Sequence, residues 1–156
     1  MTQSPTLNKL LPLSAVLALG LSSLQVQAQT AVPTVVPTVV RIGHVGPVSG
    51  PQAHYGRDNE NGARMAVEEL NAQGLSIGGK KVKFELVAED DAADPKQGTA
   101  AAQKLCDAKV HGVVGHLNSG TTIPAAKVYN QCGLPMVSPS ATNPELTTLG
   151  YKQVFR

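Results

Sequence analysis

The period of the apolar residues changes several times along this chain. Leu10 to Leu24 is an almost unbroken apolar or small run without a charge. Val39 to Val45 is apolar-rich and predicts a buried strand, followed by the turn-forming run Gly46-Pro47-Val48-Ser49-Gly50-Pro51. Ala63, Ala66, Val67 and Leu70 then recur at helical spacing and predict an amphipathic helix, with Asn71 and Gly74 marking its end. Lys80 to Glu89 alternates, with Val82, Phe84, Leu86 and Ala88 on one side, and predicts a strand less buried than the first. Gly78-Gly79-Lys80-Lys81 reads as a turn between that helix and that strand.

A second helix is announced by Asp94-Pro95-Lys96-Gln97. Asp94 caps, Pro95 fits the first helical position, and Gln97 can reach back to the cap amide. Its buried stripe is Ala101, Leu105 and Ala108. Val110 to Gly115 predicts a short strand, and Ser119 to Thr122 offers caps for a third helix. The apolar side of that helix is Ile123, Ala126, Val128 and Tyr129, and Gly133 is its C-terminal cap. Leu134 to Val137 starts a fourth strand, Pro144-Glu145-Leu146 a helical turn, and Gln153-Val154-Phe155 a fifth strand. The alternation of strands and helices predicts an α/β domain with a parallel sheet between two helical layers. Ligands in such folds sit beyond the carboxyl ends of the strands. The loops of interest are therefore 46–55, 90–94, 116–122 and 138–143.

The first 28 residues belong to another class. Lys9 and the amino terminus precede the apolar run, and Val26-Gln27-Ala28 ends it with side chains suited to a signal peptidase. The run is too short and too interrupted for a membrane span. The expectation is a signal peptide over 1–28, cleaved after Ala28, and a periplasmic product. Over 29–40, Pro33-Thr34-Val35-Val36 repeats as Pro37-Thr38-Val39-Val40, which predicts an extended leader ahead of a domain over 41–156.

Removing Lys9 with the signal leaves 13 − 1 = 12 basic residues against 11 acidic ones. That balance argues for neither nucleic acid nor an anionic membrane as partner. With three Tyr, two Phe and no Trp, a base-stacking platform is also excluded. Cys106 and Cys132 fit no zinc spacing. In an oxidising compartment they read as one disulfide, the other reading being two separately buried thiols.

No constellation for catalysis or metal binding emerges. Gly43, Gly46 and Gly50 lack dinucleotide-fingerprint spacing. His44, His54, His111 and His116 form no close ligand pair, and Asp90, Asp91 and Asp94 are too few for a calcium loop. No cofactor is expected, and an exported enzyme is a remote reading. More informative are the hydroxyl-bearing loops Asn118-Ser119-Gly120-Thr121-Thr122 and Ser138-Pro139-Ser140-Ala141-Thr142. The first runs into a helix whose free amides and dipole suit a carboxylate. Together they could grip a small zwitterion; equally, the hydroxyls could simply cap helices.

In order and spacing, Gly46-Pro47-Val48-Ser49-Gly50-Pro51, Tyr55-Gly56, Gly62-Ala63, Asp90-Asp91, Asp94-Pro95-Lys96-Gln97, Val114-Gly115-His116, Ser119, Pro139 to Pro144 and Gly150-Tyr151 resemble one family. It is that of the branched-chain amino-acid-binding proteins of ABC transporters. The resemblance implies a two-lobed type I binding protein, of which this chain is expected to be the N-terminal part of lobe 1. It implies an amino-acid ligand and, as partner, an inner-membrane permease. It also implies that Ser119 meets the ligand carboxylate and that Ser140 offers backbone groups, with Ala141 among the ligand-binding residues. Thr142 would offer hydroxyl and amide, and Tyr55 would line the side-chain pocket. Well-known members pair cysteines at positions held here by Ala93 and Asn118. Asn118 either adds a polar contact or leaves the ligand loop less tethered. An extracellular amino-acid-sensing receptor domain is the alternative function, since receptors can use the same fold.

Overall fold

A computed structural model describes residues 38–156; the expectations for the signal peptide and for residues 29–37 lie outside them. Strand β1 is Thr38–Gly46, helix α1 Ala53–Ala72, β2 Ser76–Ile77 and β3 Lys80–Asp90. They are followed by α2 Pro95–Asp107, β4 Gly112–Gly115, α3 Ser119–Cys132, β5 Met136–Val137, α4 Glu145–Thr148 and β6 Val154–Phe155. The sheet order is β2-β3-β1-β4-β5-β6. Every pairing is parallel except β2 with β3.

Alternation along β1 assigns the two faces of the sheet. Val45 is fully buried in the cluster formed with Ala101, Ala102 and Leu105 of α2 and Ala125, Ala126 and Tyr129 of α3. Ile42 points the other way, into a cavity lined by Ala63, Val67 and Leu70 of α1. Helices α2 and α3 thus share one face and α1 covers the other. The first face is tightly packed, whereas Gly56 is the only buried residue of α1. The stripe read from the sequence lies on the sheet side of α1, but Ala63, Val67 and Leu70 are only half-buried and Ala66 is exposed.

Three readings of the elements are corrected. Gly78 and Gly79 join two strands, not a helix and a strand. Both have positive φ, 58° and 77°, and they turn β2 back onto β3, so the sheet is mixed. Strand β1 starts at Thr38, inside the segment read as a leader, and Thr38 to Val40 are already in register with Val82 to Phe84. The loop expected over 46–55 ends early, because α1 begins at Ala53. Its first turns are polar and carry no apolar period to reveal them. A Cβ at Gly56 would overlap the Pro47 carbonyl, and that close crossing lets the helix start directly against the loop after β1.

The second helix starts as expected, with the Asp94 carboxylate accepting from the Lys96 and Gln97 amides at 3.0 and 2.9 Å. Gln97 does not complete a capping box; the Asp94 amide instead donates to the Asp91 carbonyl at 2.8 Å. Gly133 closes α3 in the left-handed conformation. Of the two readings of the cysteines, the bonded one holds. Cys106 and Cys132 form a disulfide joining the C-terminal ends of α2 and α3, with Cα atoms 6.2 Å apart.

Candidate functional site

The strand order places the site. From β1 the chain passes through α1 to β3 on one side; from β4 it passes through α3 to β5 on the other. The adjacent strands β1 and β4 therefore send their following helices to opposite faces, and the loops leaving them part at this point. That divergence makes a crevice at the carboxyl end of an α/β sheet. A cavity of about 470 Å³ opens there, lined by Gln52, Tyr55, Asp58, Asn59, Leu117, Asn118 and Ser140.

The loop after β5 is stitched to the loop after β4. Ser138 Oγ donates to the His116 carbonyl at 2.7 Å and accepts from the Ala141 amide at 2.9 Å. Ser140 Oγ donates to the Leu117 carbonyl at 3.1 Å, and the Asn143 amide donates to Ser119 Oγ at 3.1 Å. The Ser119 hydroxyl thus accepts one bond and keeps its own proton for another partner. In α3 the Thr121 and Thr122 amides both donate to the Asn118 carbonyl. Among the described residues, the Ser119 and Gly120 amides take no partner, nor do the Thr142 amide and hydroxyl.

The structure brings Tyr55, Asn118 and Ser140 to one cavity and ties Ser119 to the loop carrying Ser140, Ala141 and Thr142. Tyr55 is 58% exposed and sits in the first turn of α1, where a loop position was expected. Ala141 is buried and its amide is already engaged, so it can offer a ligand only its carbonyl. Gln52, Asp58 and Asn59 were not foreseen. With Tyr55 they are spaced three, six and seven residues on from position 52, which is one helical face. Placing the helix start later hid that face.

Beneath the loops lies a buried polar chain. Asp91 and His116 are fully buried, with His116 Nδ1–H donating to the Asp91 carboxylate at 2.9 Å. That fixes Nε2 as acceptor for the Tyr129 hydroxyl, 3.0 Å away. Burial alone would raise the Asp91 carboxyl, but the hydrogen bonds from His116 and the Ala93 amide hold it below its ordinary value. Burial pushes the Tyr129 hydroxyl strongly up, so it stays a donor. Asp90 Oδ1 accepts from the Val48 and Ala92 amides, tying the loop after β1 to the end of β3. The acidic cluster therefore holds loops in place.

His44 points to the α1 face and is 1% exposed, and among the described residues neither ring nitrogen has a hydrogen-bond partner. Burial lowers its pKa; the nearby Glu60 charge opposes that without cancelling it.

Comparisons with known proteins bear on the fold and the family. The chain is 44% identical over 117 residues to the leucine-specific-binding protein of Salmonella typhimurium, which covers 75% of this chain and 31% of that protein. It is 43% identical, over the same shares, to the Leu/Ile/Val-binding protein of Escherichia coli. The chain thus spans about a third of the length of these relatives. Among solved structures, it resembles the branched-chain amino acid transporter substrate binding protein of Streptococcus pneumoniae in complex with isoleucine. That match has a TM-score of 0.68 and 35% identity, covering 74% of this chain and 32% of the other. An ABC transporter substrate-binding protein from Desulfitobacterium hafniense in complex with Leu matches with a TM-score of 0.63 and 40% identity, over 76% of this chain and 33% of that one. The model of the periplasmic binding protein family matches residues 39–156. By sequence and by fold, the chain belongs to the periplasmic binding protein family.

Proposed function

We propose that this chain supplies the carboxylate-gripping wall of a periplasmic substrate-binding component of an ABC transporter. Its ligand is an amino acid of the branched-chain type, passed on to an inner-membrane permease. One observation carries this reading. At the crevice between β1 and β4, two unpaired amides at the start of α3, those of Ser119 and Gly120, stand beside a hydroxyl with a proton to give. Amides at a helix N-terminus and a neutral hydroxyl donor suit a carboxylate and need no counter-cation. Thr142 lies on the loop that Ser119 holds, with amide and hydroxyl both unengaged, and would complete the grip. Tyr55 would face the ligand side chain across the cavity. The Ser138 and Ser140 bonds fix the two loops relative to one another before a ligand arrives, which lowers the ordering cost of binding.

Titrating the whole chain with L-leucine while following backbone amide resonances tests the reading. Shifts centred on Ser119, Gly120 and Thr142 are expected, even if affinity is only in the roughly millimolar range. Ser119→Ala is expected to weaken binding by about 1–3 kcal/mol, the size of a lost hydrogen bond to a charged group. No shift at these amides at saturating leucine would refute the proposal.

A further inference from the structure

Helices α2 and α3 begin with the same backbone geometry and opposite side-chain behaviour. Asp94 at φ −104°, ψ 126° turns its carboxylate onto the amides of its own helix. Asn118 at φ −88°, ψ 137° has the same extended cap backbone and is one of the best capping residues, yet makes no cap hydrogen bond. Its side chain turns away, and Nδ2 donates to Gln52 Oε1 at 2.6 Å, across 66 residues of sequence. Among the described residues, the Asn118 Oδ1 is buried and without a partner. Turning back onto the Gly120 amide would satisfy it. The open arrangement therefore forgoes an available hydrogen bond, and the side chain makes the bond to Gln52 instead.

We propose that Gln52 is a positioning residue. By holding the Asn118 side chain off the start of α3, it keeps the Gly120 amide open to an anionic ligand. Gln52 sits immediately before α1 and Asn118 immediately before α3, so the bond spans the crevice where the two loops part. Both residues line the same cavity as Tyr55 and Ser140. The proposal rests on the carboxylate site described above, and its test separates the two.

The test uses the whole chain and two readouts. The first is hydrogen exchange at the Gly120 amide without ligand; the second is L-leucine affinity from amide shifts, with leucinamide as the probe lacking a carboxylate. In Gln52→Ala, Asn118 is expected to cap its own helix, so Gly120 exchange slows and leucine affinity falls about fivefold, the scale of one cap. Leucinamide binding is expected to change little. Gln52→Glu keeps an acceptor for Asn118 Nδ2 and is expected to restore the Gly120 exchange; its negative charge opposes the leucine carboxylate, so affinity is not expected to recover. In an Asn118→Ala background, Gln52→Ala is expected to have no further effect on leucine affinity, which a general packing role for Gln52 would not produce. Unchanged Gly120 exchange in Gln52→Ala overturns the proposal, as does an equal loss in the Asn118→Ala background. If the exchange pattern is as expected but wild-type chain binds no leucine, the Gln52 assignment stands and the ligand reading falls.

Discussion

Replacing Cys106 and Cys132 together by serine is expected to cost about 3 kcal/mol of stability. The bond closes a loop with a sequence separation of 26, and constraining such a loop in the unfolded chain is worth roughly that much. The location favours a full effect. The disulfide ties the C-terminal ends of α2 and α3, the two helices that pack against each other over the main core, so release loosens the best-packed layer. Thermal unfolding followed by circular dichroism is expected to show a midpoint lower by roughly 10 °C. Treating the wild type with reductant is expected to give the same shift and to leave the double serine variant unmoved. A midpoint shared by both proteins under oxidising conditions would show that the bond contributes nothing to stability.

Asp91→Ala is expected to cost about 2–4 kcal/mol, because it leaves the fully buried Nδ1–H of His116 without its acceptor. The Ala93 amide loses its acceptor as well, at the point where Ala92 and Ala93 both hold positive φ. The pH dependence separates this carboxylate from His44. The folded-state pKa of Asp91 is depressed, so its contribution is present above the unfolded value of about 3.9 and is lost as pH falls through the folded value. His44 is depressed too, but as a base. Below about pH 6.5 the unfolded chain takes up a proton that the folded chain resists, so stability declines in that earlier window. Urea midpoints measured across acid pH are expected to keep the near-neutral decline in Asp91→Ala and to show a smaller lower one, the remainder belonging to Asp90, whose carboxyl is also held below its ordinary value by hydrogen bonds. A variant with the wild-type profile throughout would remove Asp91 from the account.

Where local chemistry decided structure, the sequence was readable. Asp94-Pro95 starts a helix through contacts within three residues, and Gly133 ends one through its own backbone. The parallel core followed from the alternation of β and α periods. Two elements escaped. The first turns of α1 are polar because that face meets the crevice rather than the core, so the apolar period began ten residues after the helix did. Strand β2 is two residues long and exposed, and only its glycine turn marked it. The site divides in the same way. Ser119, Ser140, Ala141 and Thr142 sit in hydroxyl-rich loops that motif order exposes, and the structure links those loops. The Gln52–Asn118 bond joins residues whose proximity depends on the strand order, and no local pattern encodes it.

The unequal covering of the two sheet faces also bears on how the molecule opens. Helix α1 spans 20 residues with a single buried one, while α2 and α3 bury several each and are joined covalently. Amide protection should therefore fall into two tiers, with β1, β4, α2 and α3 exchanging only on global unfolding and α1 exchanging through a cheaper sub-global opening. Gln52 and Tyr55 travel with α1, whereas Ser119 belongs to the slow tier. One wall of the crevice can then breathe while the other stays fixed, so under the proposed carboxylate grip a ligand would not have to leave when the α1 wall moves.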